Sequence, residues 1–258
     1  MTVTTTQQDG RVEPGPGASS QPPGIPRPVR WMGFWSAVLA TVLTALWLAL
    51  AFGIQTPEWA GIEAYARSFH SRQLINLFPA LLLAPTLVVN MASIHMSAPQ
   101  EKKLYSLLGM LFTLAYMAII CTNDYLQLFV VRLNLSSGDL EGLSLLAMPN
   151  FHSAFFAIET IGYSFLGLGT LSAACVFHGD EVQNWIRRLF AANGILGVAT
   201  VPVALLDVPM VLLPGLGLWS LISLVSLILV AIYFKHGTSV TVSRPPLLTQ
   251  ANTSKSGV

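Results

Sequence analysis

The sequence contains few charged residues. Only 10% of its 258 residues are Asp, Glu, Lys or Arg, whereas 53% are hydrophobic. Soluble globular domains carry about 25% charged residues, so the composition excludes an ordinary soluble domain. The formal net charge of +1 provides no basic surface for a polyanion. We therefore expect no nucleic-acid partner.

Several cofactor-binding and catalytic signatures are also missing. The chain has no Walker loop, no Rossmann glycine fingerprint, no HExxH motif and no Gly-x-Ser-x-Gly elbow. No lysine falls inside an apolar run, which excludes a retinal Schiff base. The only two cysteines, Cys121 and Cys175, lack the spacing of a metal site or redox pair, and the five histidines are scattered. The sequence thus predicts neither a metal nor a cofactor.

Six long apolar runs dominate the chain instead. Each can cross about 30 Å of hydrocarbon as a helix. The runs cover residues 31–54, 74–96, 104–133, 152–177, 185–206 and 211–234. We expect an all-α polytopic membrane domain over residues 29–236. It is preceded by a disordered Pro- and Gly-rich tail, residues 1–28, and followed by a flexible tail, residues 237–258.

Two connecting segments have features of surface caps. After the first span, Thr56 and Pro57 suit a helix N-terminus, and Trp59, Ile62, Ala66 and Phe69 recur at helical spacing. This pattern predicts a short amphipathic helix in the membrane interface. The loop 134–150 is rich in glycine and acids and is a candidate second cap.

The distribution of Lys and Arg predicts the orientation. With six spans the termini share one side, and that side collects ten of the 13 Lys and Arg residues. Cytoplasmic loops carry the excess of positive charge. We expect both termini in the cytoplasm of a bacterial cell, with the protein in the plasma membrane.

Three acids fall in or beside the apolar spans, at Asp124, Glu159 and Asp207. A carboxyl group at membrane depth is costly and is by default a functional-site hypothesis. In the predicted topology all three lie in the outer half of the bilayer. We predict that they share a polar pocket open toward that half, with Asp124 and Glu159 as catalytic acids.

Polar and aromatic neighbours extend the predicted site. Residues of the third and fourth spans recur near the acids at helical intervals. The predicted substrate-binding residues are Tyr116, Asn123, Gln127, His152, Phe155, Phe156, Tyr163 and Asp207. A structural role is the alternative for four of them. Asn123 and Gln127 can join helices by hydrogen bonds, His152 can cap a helix, and Asp207 can be an ordinary interfacial residue.

The stretch from Asn123 to Gln127 matches the start of the NDxxD motif of membrane prenyltransferases. Gln127 occupies the place of the second acid. Because magnesium bound to a diphosphate needs several hard oxygen ligands, the motif is incomplete.

A dry pocket with embedded carboxyls and aromatic walls suits protonation chemistry. Burial favours the protonated form of a carboxyl group, which can then protonate an alkene or epoxide. Aromatic faces stabilise a cation, and exclusion of water prevents its early capture. These are the requirements of a metal-independent terpene cyclase that acts on a lipophilic prenylated molecule.

In size, helical runs and embedded acids, the chain resembles the small integral membrane terpene cyclases of actinomycete indole-sesquiterpene pathways, the drimentine and xiamycin type. The Thr-, Pro- and Gly-rich amino tail suits such a source. The soluble cyclase signatures DxDD and DDxxD are absent. The resemblance implies cyclisation of a prenylated indole or related meroterpenoid by the embedded acids.

Two other functions fit the same residues. Embedded acids also serve proton relays, so a proton-coupled small-molecule transporter is one alternative. The other is a non-catalytic scaffold or lipid-binding subunit in which the acids are structural. In that case Arg132 could pair with Glu159 or Asp207 across helices. The sequence leaves the oligomeric state open.

Overall fold

A computed structural model describes residues 24–54 and 58–237. Most of both predicted tails, residues 1–23 and 238–258, lies outside the described residues, as does the predicted helix start at Thr56 and Pro57. The first helix begins at Arg27, inside the predicted tail 1–28, because Pro26 and Pro28 fit the start of a helix.

The described residues form helices and connecting turns, with no strand among them. The eight α-helices are α1 (Arg27–Gly53), α2 (Ile62–Ser68), α3 (Leu77–Ser97), α4 (Lys103–Leu126), α5 (Arg132–Ser137), α6 (Ala154–Ala174), α7 (Glu181–Leu205) and α8 (Pro209–His236). Within the described ranges, six helices are long and apolar enough to cross a membrane, namely α1, α3, α4, α6, α7 and α8. The prediction of an all-α fold with six helices long and apolar enough to span a membrane is confirmed for these residues.

The third predicted span is not one continuous α-helix. It is α-helical as far as Leu126, widens into a π-helical turn over Gln127–Val131 and resumes as α5. The π turn coincides with the point where the Gln127 side chain bonds to the backbone of the segment after α5. Single π turns occur where a helix accommodates such a local demand.

The six membrane helices form a closed ring. Each of them packs against the next membrane helix along the chain, and α8 packs against α1. Helix α6 therefore lies between α4 and α7, so the third, fourth and fifth predicted spans are neighbours. This order brings Asp124 on α4 and Glu159 on α6 to the same side of the ring.

The two ends of the bundle are closed differently. At the end where α4 begins, aromatic rings of Phe177, Phe190, Tyr233 and Phe234 pack with centroids 5.1–5.6 Å apart. We call this the aromatic end. At the opposite end, α2, α5 and residues 143–147 share an apolar cluster. We call it the cap end.

The cap end contains both predicted surface segments. Tyr65 of α2 packs with Leu135 of α5 and with Leu143 of the following loop. The helix of the first segment is shorter than expected, because Gly61 adopts a φ of 97° and α2 starts only after it. Trp59 and Phe69 flank α2 yet still pack against the same cluster.

Glycines set the distance between α6 and α7. A Cβ on Gly167 would lie 2.8 Å from the backbone nitrogen of Val198 and 2.9 Å from the carbonyl oxygen of Gly194. A Cβ on Gly197 would lie 2.8 Å from the Cα of Gly167. Glycine at these positions therefore permits the close approach of α6 and α7.

We expect Gly167→Ala to destabilise the bundle by about 1–3 kcal/mol, the usual cost of overpacking against atoms that cannot move aside. Thermal unfolding of the purified protein in detergent measures the change. Gly215→Ala is the matched control, because a Cβ there meets nothing within 4 Å. Equal unfolding temperatures for the two variants would contradict the role assigned to Gly167.

Candidate functional site

The ring encloses a cavity of about 440 Å³ that all six membrane helices line. It reaches from Phe52 and Asn76, near the cap end, to Phe190 and Ser226, nearer the aromatic end. Small-molecule sites usually have volumes of about 300–1,000 Å³ and mostly apolar walls. The cavity therefore has the size of a binding site for one small molecule.

Asp124 reaches the cavity from α4. Tyr116, Ile120 and Asp124 recur every four residues and line the same wall. The Asp124 side chain is 1% exposed, and its Oδ2 atom has no hydrogen-bond partner among the described residues. A buried polar atom without a partner is costly. Asp124 Oδ2 and Asn76 Oδ1 are thus two buried oxygens of lining residues that lack a partner among the described residues.

Glu159 reaches the same cavity from α6, together with Phe156 and Tyr163. The Tyr163 hydroxyl donates a hydrogen bond to Glu159 Oε1, which fixes the carboxyl group on the helix surface. The Tyr163 ring lies 5.2 Å from the ring of Trp219 on α8, measured between centroids. The carboxyl groups of Asp124 and Glu159 and three aromatic rings therefore belong to residues that line the same cavity.

Among the described residues, the lining contains no Lys, Arg or His. A carboxylate in the cavity would have no counter-ion there, and like charges would repel if both groups were ionised. Arg132 is not the counter-ion of either acid. Its Nε donates to the Leu128 carbonyl oxygen at 2.9 Å. In the described part of the chain it forms no ion pair with Glu159 or Asp207. The pairing considered for a scaffold is absent from these residues.

Asn123 and Gln127 point away from the cavity. Asn123 Nδ2 donates to the Phe155 carbonyl oxygen of α6 at 3.0 Å. Gln127 donates to the Leu146 carbonyl oxygen at 2.6 Å and accepts from the Met148 backbone nitrogen at 3.2 Å. Both residues were predicted to contact substrate, but their side-chain amides instead join neighbouring segments of the chain. Of the polar residues predicted in this part of α4, Asp124 lines the cavity, whereas Asn123 does not.

Three further predicted contacts also lie outside the lining. The Phe155 side chain is buried in the protein, 2% exposed, because α6 turns the neighbouring Phe156 toward the cavity. His152 precedes α6 and is exposed, and its Nε2 lies 3.1 Å from Asp207 Oδ1. Asp207 follows α7 with a φ of 50° and is also exposed. The cap of α6 is Ser153, whose Oγ accepts from the Phe156 nitrogen.

The structure adds a polar group that the sequence prediction omitted. Asn193 of α7 donates to the Trp219 carbonyl oxygen at 3.1 Å and to Ser223 Oγ at 2.5 Å. Trp219 Nε1 donates to the Asn193 carbonyl oxygen at 3.0 Å. All three residues line the cavity. An amide inside an apolar span was the signal that could have pointed to Asn193.

No family model, no curated protein and no solved structure matches this chain. The chemistry of the site must therefore be argued from its own geometry.

We expect Gln127→Leu to lower the free energy of unfolding by about 1–3 kcal/mol, because it leaves two backbone groups unpaired. Thermal unfolding in detergent tests this. Ser136→Ala is the control, since the Ser136 hydroxyl is exposed and bonds only within its own helix. A stable Gln127→Leu variant that loses ligand binding would instead support the original assignment to the substrate site.

Proposed function

We propose that the protein is a membrane-embedded enzyme that cyclises a prenylated, lipophilic substrate by metal-independent general acid catalysis. One observation carries the proposal. Asp124, one of whose carboxyl oxygens is unpaired, and Glu159, whose carboxyl group accepts from Tyr163, line a single cavity with aromatic walls. Neither acid has a cation beside it in the lining.

The proposed reaction is an isomerisation. A protonated carboxyl group donates its proton to a carbon of a terminal alkene, or to the oxygen of an epoxide. A second alkene attacks the resulting cation and closes a ring. Loss of a proton to the carboxylate formed in the first step ends the sequence and restores the acid. Mass and charge are unchanged overall.

We assign different roles in the reaction to the two carboxyl groups. Asp124 is the proposed donor, because its Oδ2 has no partner within the described protein. Glu159 is held by Tyr163 and tunes the donor from the facing helix. The rings of Phe156, Tyr163 and Trp219 supply faces that stabilise cationic intermediates.

The shape of the cavity supports a lipophilic substrate. The walls are mainly aliphatic and aromatic, and polar groups are confined to the acids, the phenols and a few amides and hydroxyls. Phe52 at the end of α1 lines the cavity and is also 78% exposed on the outer surface of the bundle. A substrate dissolved in the bilayer would meet this residue first.

A proton-coupled transporter is the second candidate. The observation that favours it is the participation of all six helices in one acid-lined cavity. Transport would require the aromatic end to open, because Phe177, Phe190 and Tyr233 pack edge to face there. A lipid-binding scaffold is a weaker candidate, since Arg132 does not neutralise the acids.

The orientation is part of the proposal. Both termini face the cytoplasm of a bacterial plasma membrane, and α2 lies in the outer interface. The support is the distribution of charge. Arg30, Lys103 and Arg187 belong to the aromatic end, whereas the cap end holds most of the acids of the connecting segments.

We expect Asp124→Asn to reduce product formation by about 10²–10⁴-fold, the usual contribution of a general acid, and Glu159→Gln to reduce it as well. Membranes that contain the protein are given linear prenylated indoles or farnesylated aromatics, with and without a chelator. Mass spectrometry then detects an isomer of unchanged mass and altered retention.

Asp207→Asn is the matched control, because this acid is exposed and lies outside the cavity lining. It should retain activity. Full activity of both cavity variants would refute the catalytic assignment. Absence of any product, together with pH-dependent flux of a small molecule in vesicles, would favour transport.

The topology predicts which cysteines an impermeant maleimide can reach in intact cells. In a Cys121→Ala background, Cys175 at the aromatic end should react only in inverted vesicles. Ser136→Cys at the cap end, in a Cys121→Ala and Cys175→Ala background, should react from outside. Both positions are exposed on the protein. The opposite pattern would invert the proposed orientation.

A further inference from the structure

A second pocket, of about 290 Å³, lies at the aromatic end, away from the acids. It is formed by the start of α4, the turn after α6 and the first turns of α7. The lining residues are Lys102, Tyr105, Cys175, Phe177, His178 and Arg187. None of these six is acidic, and two carry a fixed positive charge.

The two cations have no partner for their charge. Among the described residues, neither the Lys102 ammonium nor the Arg187 guanidinium forms an ion pair or a side-chain hydrogen bond. The Lys102 nitrogen lies over the face of the Tyr105 ring, 5.8 Å from its centroid, and has no acidic partner. Unpaired cations beside a concavity favour an anionic occupant.

Asp180, in the turn between α6 and α7, is engaged within its own turn. Asp180 caps α7, and its Oδ1 accepts from the Gln183 backbone nitrogen at 2.8 Å. Its Oδ2 accepts from Gln183 Nε2 at 3.4 Å. Gln183 in turn accepts from the backbone nitrogen of His178 at 3.3 Å, which places His178 at the rim. Both Asp180 oxygens are therefore used within the turn, and Asp180 forms no ion pair with either pocket cation.

The floor of the pocket is apolar. Phe177 is 2% exposed and packs against Phe190 and Tyr233 of the aromatic end. Tyr105, which is 43% exposed, forms one wall and carries a hydroxyl donor. The pocket thus combines an apolar base with two cations at its edge. It lies at the end of the bundle where α4 and α7 begin.

We infer that this pocket binds a phosphate group, with Lys102 and Arg187 as its charge partners. Arg forms a fork of donors suited to phosphate, and Lys supplies a point charge. A lipid headgroup of the adjoining leaflet and a free diphosphate share this chemistry. The site is separate from the acid-lined cavity, so the inference does not depend on the proposed catalysis.

Cys175 provides a built-in probe, because it is exposed and lines the pocket. In a Cys121→Ala protein it is the only cysteine left in the chain. The rate of its modification by a neutral methanethiosulfonate reagent is measured in nanodiscs of phosphatidylcholine, the reference lipid, whose phosphate is neutralised by its own choline. We then compare nanodiscs that contain phosphatidylglycerol, and phosphatidylcholine nanodiscs with added inorganic pyrophosphate.

An occupied phosphate site should slow the modification of Cys175. Protection by phosphatidylglycerol but not by pyrophosphate identifies a lipid headgroup as the occupant. Protection by pyrophosphate identifies a free phosphate compound. Protection by neither would overturn the inference, whatever the outcome of the cyclisation assay.

Variants test which charges are responsible. Lys102→Gln and Arg187→Gln should each weaken the protecting affinity about fivefold, the usual effect of one cation beside an anionic surface. Arg188→Gln is the matched control. Its guanidinium lies 5.4 Å from the Trp185 ring centroid and outside the pocket lining. Equal losses in all three variants would indicate a general surface charge and overturn the assignment to this pocket.

Discussion

Two carboxyl groups inside a ring of apolar helices impose the main constraint on this structure. Asp124 and Glu159 line a cavity without a cation, and one Asp124 oxygen has no partner among the described residues. Polar groups at membrane depth must be satisfied within the protein or by a ligand. The ring, the aromatic wall and the hydrogen bond from Tyr163 are all arranged around that requirement.

The uncharged polar residues differ from the two acids in what their side chains bond to. Asn123 and Gln127 direct their amides at backbone groups of neighbouring segments. Asn90 of α3 likewise donates to the Gly33 carbonyl oxygen of α1 at 3.3 Å. These amides join helices and have little capacity left for a substrate. By comparison, both acids line the cavity: Glu159 accepts a hydrogen bond from Tyr163, and Asp124 keeps an unpaired oxygen.

The ends of the bundle separate two kinds of chemistry. The cap end carries an apolar cluster of α2, α5 and the following loop. At the aromatic end, packed rings close the bundle. The cations of the second pocket lie beside these rings. A lipophilic substrate and a phosphate-bearing molecule would therefore occupy opposite ends of one protein without meeting.

The amino-acid sequence by itself determined the six membrane helices, because hydrocarbon thickness fixes the length of an apolar run. It also identified Asp124 and Glu159, since charge inside such a run is rare. Only the tertiary structure decided that α4 and α6 are neighbours and share a cavity. It also showed that Asp124 lines the cavity whereas Asn123 does not, and that His152 and Asp207 lie outside the lining. Helical spacing defines which residues share a face, but the packing of the other helices decides what that face contacts.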